Sequence, residues 1–106
     1  MATLQHNITT VLTQNLLAAG DDVNNAKHIS IANVDDTNDA KVDLFLNKGS
    51  NNYYILKEVL IPLGSTLMLE ESDGISFDNS SSGFSLRIQV DNGSTTAVAV
   101  DVIIKQ

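Results

Sequence analysis

Two histidines, two carboxylate-rich stretches, ten serines and one arginine are the side chains in this sequence with chemistry to offer. His6 and His28 stand 22 residues apart with no carboxylate at ligand spacing, so they read as strand residues and no metal site is expected from them. Asp35-Asp36-Thr37-Asn38-Asp39 is rich in oxygen donors, as calcium requires. It lacks the alternation, the central glycine and the distal glutamate of a calcium-binding loop, and reads as a solvated turn between strands. A metal-dependent module using Asp35, Asp36 and Asp39 is the weakest of the readings this stretch allows. Glu70-Glu71-Ser72-Asp73 ends an apolar run, where its charges serve edge protection or solubility better than a catalytic pair. None of the serines lies in a Gly-x-Ser-x-Gly elbow, and no motif places a histidine beside one as a base. No glycine-rich loop opens a helix to cradle phosphate. The expectation is a protein that is not an enzyme and takes no cofactor.

Composition narrows the partners. The 106 residues carry 6 basic and 13 acidic groups, a net charge of −7, which opposes binding to a polyanion and makes nucleic acid an improbable partner. Arg87 is the single arginine, so a guanidinium cluster for phosphate or carboxylate is ruled out. No cysteine is present, which removes disulfides and thiolate chemistry. No apolar run approaches a membrane span and no leader is visible, so the chain reads as a soluble protein without a membrane partner.

The elements that would carry these residues are strands. Asn, Ser, Thr and Asp for turns and Val, Ile and Leu for strands dominate, while Glu and Lys are scarce. Val98, Val100, Val102 and Ile104 share one face of an extended segment, and Phe84, Leu86, Ile88 and Val90 share another; Asn92-Gly93 between them suits a tight turn. Residues 84–104 are therefore expected to form an antiparallel hairpin. Val42, Leu44 and Leu46 point inward from a third strand, with Phe45 outward against the pattern. Two apolar runs between residues 53 and 71 flank Ile61-Pro62-Leu63-Gly64, read as a type I turn at which the chain reverses. Ile29 and Ile31 mark a further strand. Residues 7–17 have helical spacing in part, but Ile8-Thr9-Thr10-Val11 is β-branched, and a strand over 7–17 is expected. Ser80-Ser81-Ser82 reads as a flexible loop. The prediction is all-β: a single domain over residues 1–106, an antiparallel sandwich of seven or eight strands, jelly-roll-like or immunoglobulin-like.

Apolar side chains on faces that should be wet are then the informative ones. Phe45, Met68 and Ile103 stand opposite the inward sets, Tyr53 and Tyr54 offer aromatic surface, and Thr95 to Val100 is a strand almost without charge. Phe45, Tyr53, Tyr54, Met68 and Ile103 are the candidate interface residues, with self-association or docking to a larger assembly as the function they suggest. Tyr53 and Tyr54 could instead stack on sugars, the alternative being a receptor- or glycan-binding module.

The order of the runs Leu17-Ala18-Ala19-Gly20, Ile29-Ser30-Ile31-Ala32-Asn33, Val42-Asp43-Leu44-Phe45-Leu46 and Ile61-Pro62-Leu63-Gly64-Ser65, closing with Leu86-Arg87-Ile88-Gln89-Val90 and Val98 to Val102, resembles a family of small β-sandwich virion proteins of tailed bacteriophages. The likeness runs from about residue 8 to residue 105. Leu17-Ala18 departs from it where the family has proline, as does the serine-rich loop from Asp73 to Gly83. The resemblance implies a non-enzymatic virion structural protein made in the host cytoplasm. It would be present in many copies as a capsid decoration or a head or tail accessory, held by contacts to its own copies, a trimer among the options, and to other virion proteins.

Overall fold

The computed structural model describes residues 3–21, 27–70 and 77–105. Among them are eight strands and no helix: β1 (Thr3–Ile8), β2 (Gln14–Leu17), β3 (His28–Asn33), β4 (Ala40–Lys48), β5 (Asn51–Ile61), β6 (Thr66–Glu70), β7 (Ser85–Asp91) and β8 (Val100–Lys105). They form two antiparallel four-stranded sheets, β1-β8-β3-β6 and β2-β7-β4-β5. The pairs β1·β8, β2·β7, β3·β6 and β4·β5 belong to one long hairpin of paired strands, and β3·β8 and β4·β7 close it into a roll. This is the jelly-roll form of the sandwich, which decides between the two expected topologies.

Period-two alternation builds the core. Ile29 and Ile31 of β3 and Val100, Val102 and Ile104 of β8 meet Val42 and Leu44 of β4 and Leu86, Ile88 and Val90 of β7, all 0% exposed. Val98 is equally buried although it precedes β8, so the extended face continues into the loop. The uncharged segment expected as a strand from Thr95 is strand only at Val100.

Several local expectations give way. Residues 84–104 are not a hairpin: β7 lies in the second sheet between β2 and β4, and β8 in the first between β1 and β3. Alternation specifies which face is buried and is silent about which sheet a strand joins. Facing strands pack their apolar ladders onto each other, whereas hairpin partners would only set them side by side. The two-residue hairpin turn falls instead at Gly49-Ser50, where Gly49 has φ +63° at the first central position, as a type II′ turn requires. At 61–65 the turn is one residue later than expected. The Ser65 N–H donates to the Pro62 carbonyl at 3.0 Å and Gly64 has φ +78° at the third position, a type II arrangement. The chain there passes from β5 to β6 in the opposite sheet rather than folding back on itself. The strand expected over 7–17 is two, β1 and β2, in different sheets with a bend between them. Connections β1–β2, β3–β4, β5–β6 and β7–β8 all lie at one end of the roll and cross between the sheets.

Buried asparagines tie the loops down. Asn33, 4% exposed, occupies an inward position of β3 next to Val100 of β8. Its Nδ2 donates to the carbonyls of Ile61 at 3.0 Å and Asn38 at 2.9 Å, and its Oδ1 accepts from the Asp35 N–H. One amide thereby joins the two sheets. At the opposite end Asn79, fully buried, donates from Nδ2 to the carbonyls of Ala18 and Phe84, and its own carbonyl accepts from the Gly20 N–H. The serine-rich turn is therefore anchored, with the Gly83 N–H donating to the Ser80 carbonyl at 2.9 Å. A side chain at Gly83 would run into the Asp78 backbone.

Candidate functional site

The five residues expected at an interface do not share one surface. Phe45 and Tyr54 pair across β4 and β5 on the outer face of the second sheet, and Met68 and Ile103 lie on the outer face of the first, on the far side of the molecule. Phe45 points outward, as its place in the alternation requires, but it is not free surface: at 4% exposed it is covered, with the Tyr54 ring 5.1 Å away, centroid to centroid. Tyr54 carries the Lys57 ammonium 4.4 Å from its ring, so it serves as a lid over Phe45 and is already engaged by a cation. Tyr53 meets the Phe84 ring edge-on at 5.9 Å and keeps 55% of its surface.

The outer face of the first sheet carries Met68 and Ile103 in one cross-strand row. Ser30 of β3 pairs with Ile103 of β8 on one side and Met68 of β6 on the other, so the two apolar side chains flank a serine. Ala32 lies next along β3, between Asp101 and Thr66. Met68 is 59% exposed and Ile103 half-buried. Beside Ile103 a depression of about 410 Å³ runs along β1 and β8, lined by Gln5, Asn7 and Asp101, where Asn7 Nδ2 donates to Asp101 Oδ1 at 2.7 Å. The row of Met68, Ser30 and Ile103 is uncharged; Asp101 stands in the row on one side of it, and on the other His28, Glu70 and Lys105 occupy one cross-strand row, with His28 Nδ1 4.0 Å from Glu70 Oε1. Glu70 thus lies on the edge strand β6, as edge protection would have it; Glu71, Ser72 and Asp73 lie outside the described residues. Exposed apolar side chains with a polar border are a feature of docking surfaces.

The acidic stretch after β3 does local structural work. Asp35 accepts backbone N–H bonds from Ala99 at 3.1 Å, Thr37 at 3.1 Å and Asn38 at 2.9 Å. These donors, Ala99 foremost, hold its carboxyl down at about 2, below the usual 3.8. Asp39 accepts from the Leu63 N–H at 2.9 Å. The loops at this end are laced together by carboxylates, and among the described residues no group of three or more His, Asp or Glu side chains converges as metal ligands would. The same end presents Leu12, Val34 and Leu63, exposed by 70%, 47% and 45%. Sequence reading passed over them, because loop residues belong to no alternation that would set an expectation of burial.

A second concavity, of about 360 Å³, opens at the other end between residues 15–19, the β4–β5 turn and the anchored serine turn. Lys48 and Arg87 both line it. Arg87 Nε donates to Asn15 Oδ1 at 2.9 Å and to Ser85 Oγ at 3.2 Å. The sequence showed Arg87 only as a solitary arginine; its partner Asn15 is 72 positions away and reaches it through the β2·β7 pairing. No family model matches the chain, and comparison with curated proteins finds no relative.

Proposed function

We propose that this protein is a non-enzymatic virion structural protein of a bacteriophage, a multi-copy capsid decoration or head or tail accessory that acts by contacts with its own copies and with other virion proteins. The observation that carries the reading is the outer face of the first sheet, where Met68 and Ile103 flank Ser30 in an uncharged row between Asp101 on one side and His28, Glu70 and Lys105 on the other. Outward apolar side chains of this kind gain by being covered, and a symmetric viral surface offers many equivalent places to cover them. The sequence resemblance supplies the viral context, and the cross-linked roll supplies a body able to hold that face rigid. Mass spectrometry of purified particles should detect the chain at high copy number. A double variant Met68→Glu, Ile103→Lys should fold normally by circular dichroism yet fail to incorporate. Particles that lack the wild-type chain, or that take up the variant equally well, overturn the reading.

A further inference from the structure

We propose that the cleft between the β2 end, the β4–β5 turn and the serine turn binds a saccharide bearing a carboxylate, with Arg87 as the residue that holds the acid group. The site is separate from the outer face of the first sheet, and the argument does not depend on the virion role.

Charge is the first observation. In a chain of net charge −7, Lys41 and Lys57 are paired with Glu58 and Asp43 at 3.7 and 3.6 Å. Lys48 and Arg87, by contrast, line one cleft, and neither forms an ion pair among the described residues. Arg87, with no carboxylate partner among the described residues, and Lys48, which lines the same cleft and whose charge is felt by Asp78, make a local site for an anion in an acidic protein, while the surrounding negative field disfavours a polyanion such as nucleic acid.

Orientation is the second. Arg87 is half-buried in β7, and its Nε is committed to Asn15 and Ser85. These bonds fix the guanidinium plane, and the two terminal nitrogens have no hydrogen-bond partner among the described residues. A fixed plane with two free parallel donors matches a carboxylate in bidentate geometry. Lys48 lines the same cleft, its ammonium 5.4 Å from the centroid of the Phe84 ring.

The remaining lining selects the rest of the ligand. Asn15, Asn47, Ser81 and Ser82 contribute amides and hydroxyls, groups that both donate and accept, as the hydroxyls of a sugar demand. The walls do not depend on the ligand for their shape: buried Asn79 fixes the serine turn to Ala18 and Gly20, and Asn47 Nδ2 bonds Asn52 Oδ1 at 2.7 Å beside the hairpin turn. The volume of about 360 Å³ is at the small end for ligand sites and suits one or two sugar rings.

Titration of the ¹⁵N-labelled full chain with N-acetylneuraminic acid, glucuronic acid, glucose and sodium acetate tests the proposal. One or both acidic sugars should shift the amide signals of Asn15, Asn47, Ser81 and Ser82 at low-millimolar concentration, with glucose and acetate each far weaker. The acidic sugar that shifts them identifies the class of acid. Arg87→Lys should weaken binding about tenfold or more, and Lys48→Gln should weaken it without disturbing the fold, since Lys48 is exposed. No shift with either acidic sugar, equal shifts with acetate, or unchanged binding in a folded Arg87→Lys and in Lys48→Gln overturns it.

Discussion

Asn33 shows how much one side chain can settle. It continues the inward series Ile29, Ile31, and a polar residue there is tolerated because its amide finds two carbonyls and one N–H. Asn33→Ala should destabilise by about 2–4 kcal/mol, since it leaves the Ile61 carbonyl and its neighbours unpaired in the interior. Asn33→Asp, nearly the same shape, should be at least as damaging because it turns an oxygen toward the Ile61 and Asn38 carbonyls; urea unfolding measures both. Asp35 carries the acid sensitivity of the same corner. Its folded-state pKa of about 2 lies below the usual 3.8, so its contribution is complete above pH 4 and is lost as pH falls toward 2. Asp35→Asn should accordingly be less stable than the wild type at pH 6, with the difference closing between pH 4 and pH 2 in denaturation curves. Neither role was legible in the sequence. The alternation did mark Asn33 as a polar residue at a buried position, but its acceptor at Ile61 lies in the other sheet. The oxygen-rich run from Asp35 to Asp39 advertised turn chemistry without naming the distant Ala99 amide.

At the scale of elements, β5 is the long edge of the second sheet, a place where unpaired backbone invites aggregation. A bulge protects it. The β4·β5 register shifts between Val42 and Leu44, Glu58 has φ +54°, and its N–H donates to Asp43 Oδ1 at 2.7 Å. Asp43→Ala should cost about 0.5–1.5 kcal/mol by removing the carboxylate that accepts the Glu58 N–H and holds the bulge. Glu58→Gly should be neutral or stabilising by up to ~1 kcal/mol, because glycine adopts positive φ without strain and the Lys41 pair it gives up is a surface contact. Chemical denaturation of the two variants should thus move in opposite directions. Strand positions for 28–33, 40–48, 85–91 and 100–105 were readable from alternation, since burial on one face leaves its period in the chain. The breaks at residues 9–13 and the partners of β7 and β8 were not, because a strand's period does not encode its neighbours.

Over the whole molecule, rolling up the long hairpin brings the two chain ends into one sheet, where β8 lies between β1 and β3. A chain ending at Ala99 should fail to fold, with no cooperative transition on heating, since it loses the central apolar ladder Val100, Val102 and Ile104, leaves β1 without a partner and strips β3 of one of its two. By itself the sequence determined an all-β sandwich, its inward residues and its lack of recognisable catalytic motifs, because strand period, turn chemistry and composition are local properties of the chain. Only the tertiary structure decided the jelly-roll connectivity, the covering of Phe45, the separation of Met68 and Ile103 from Tyr54 on opposite faces, and the meeting of Lys48 and Arg87 in one cleft. Those depend on which strands pair and which sheets face each other, and that choice comes from burying all the apolar ladders together, a property no single stretch of sequence contains.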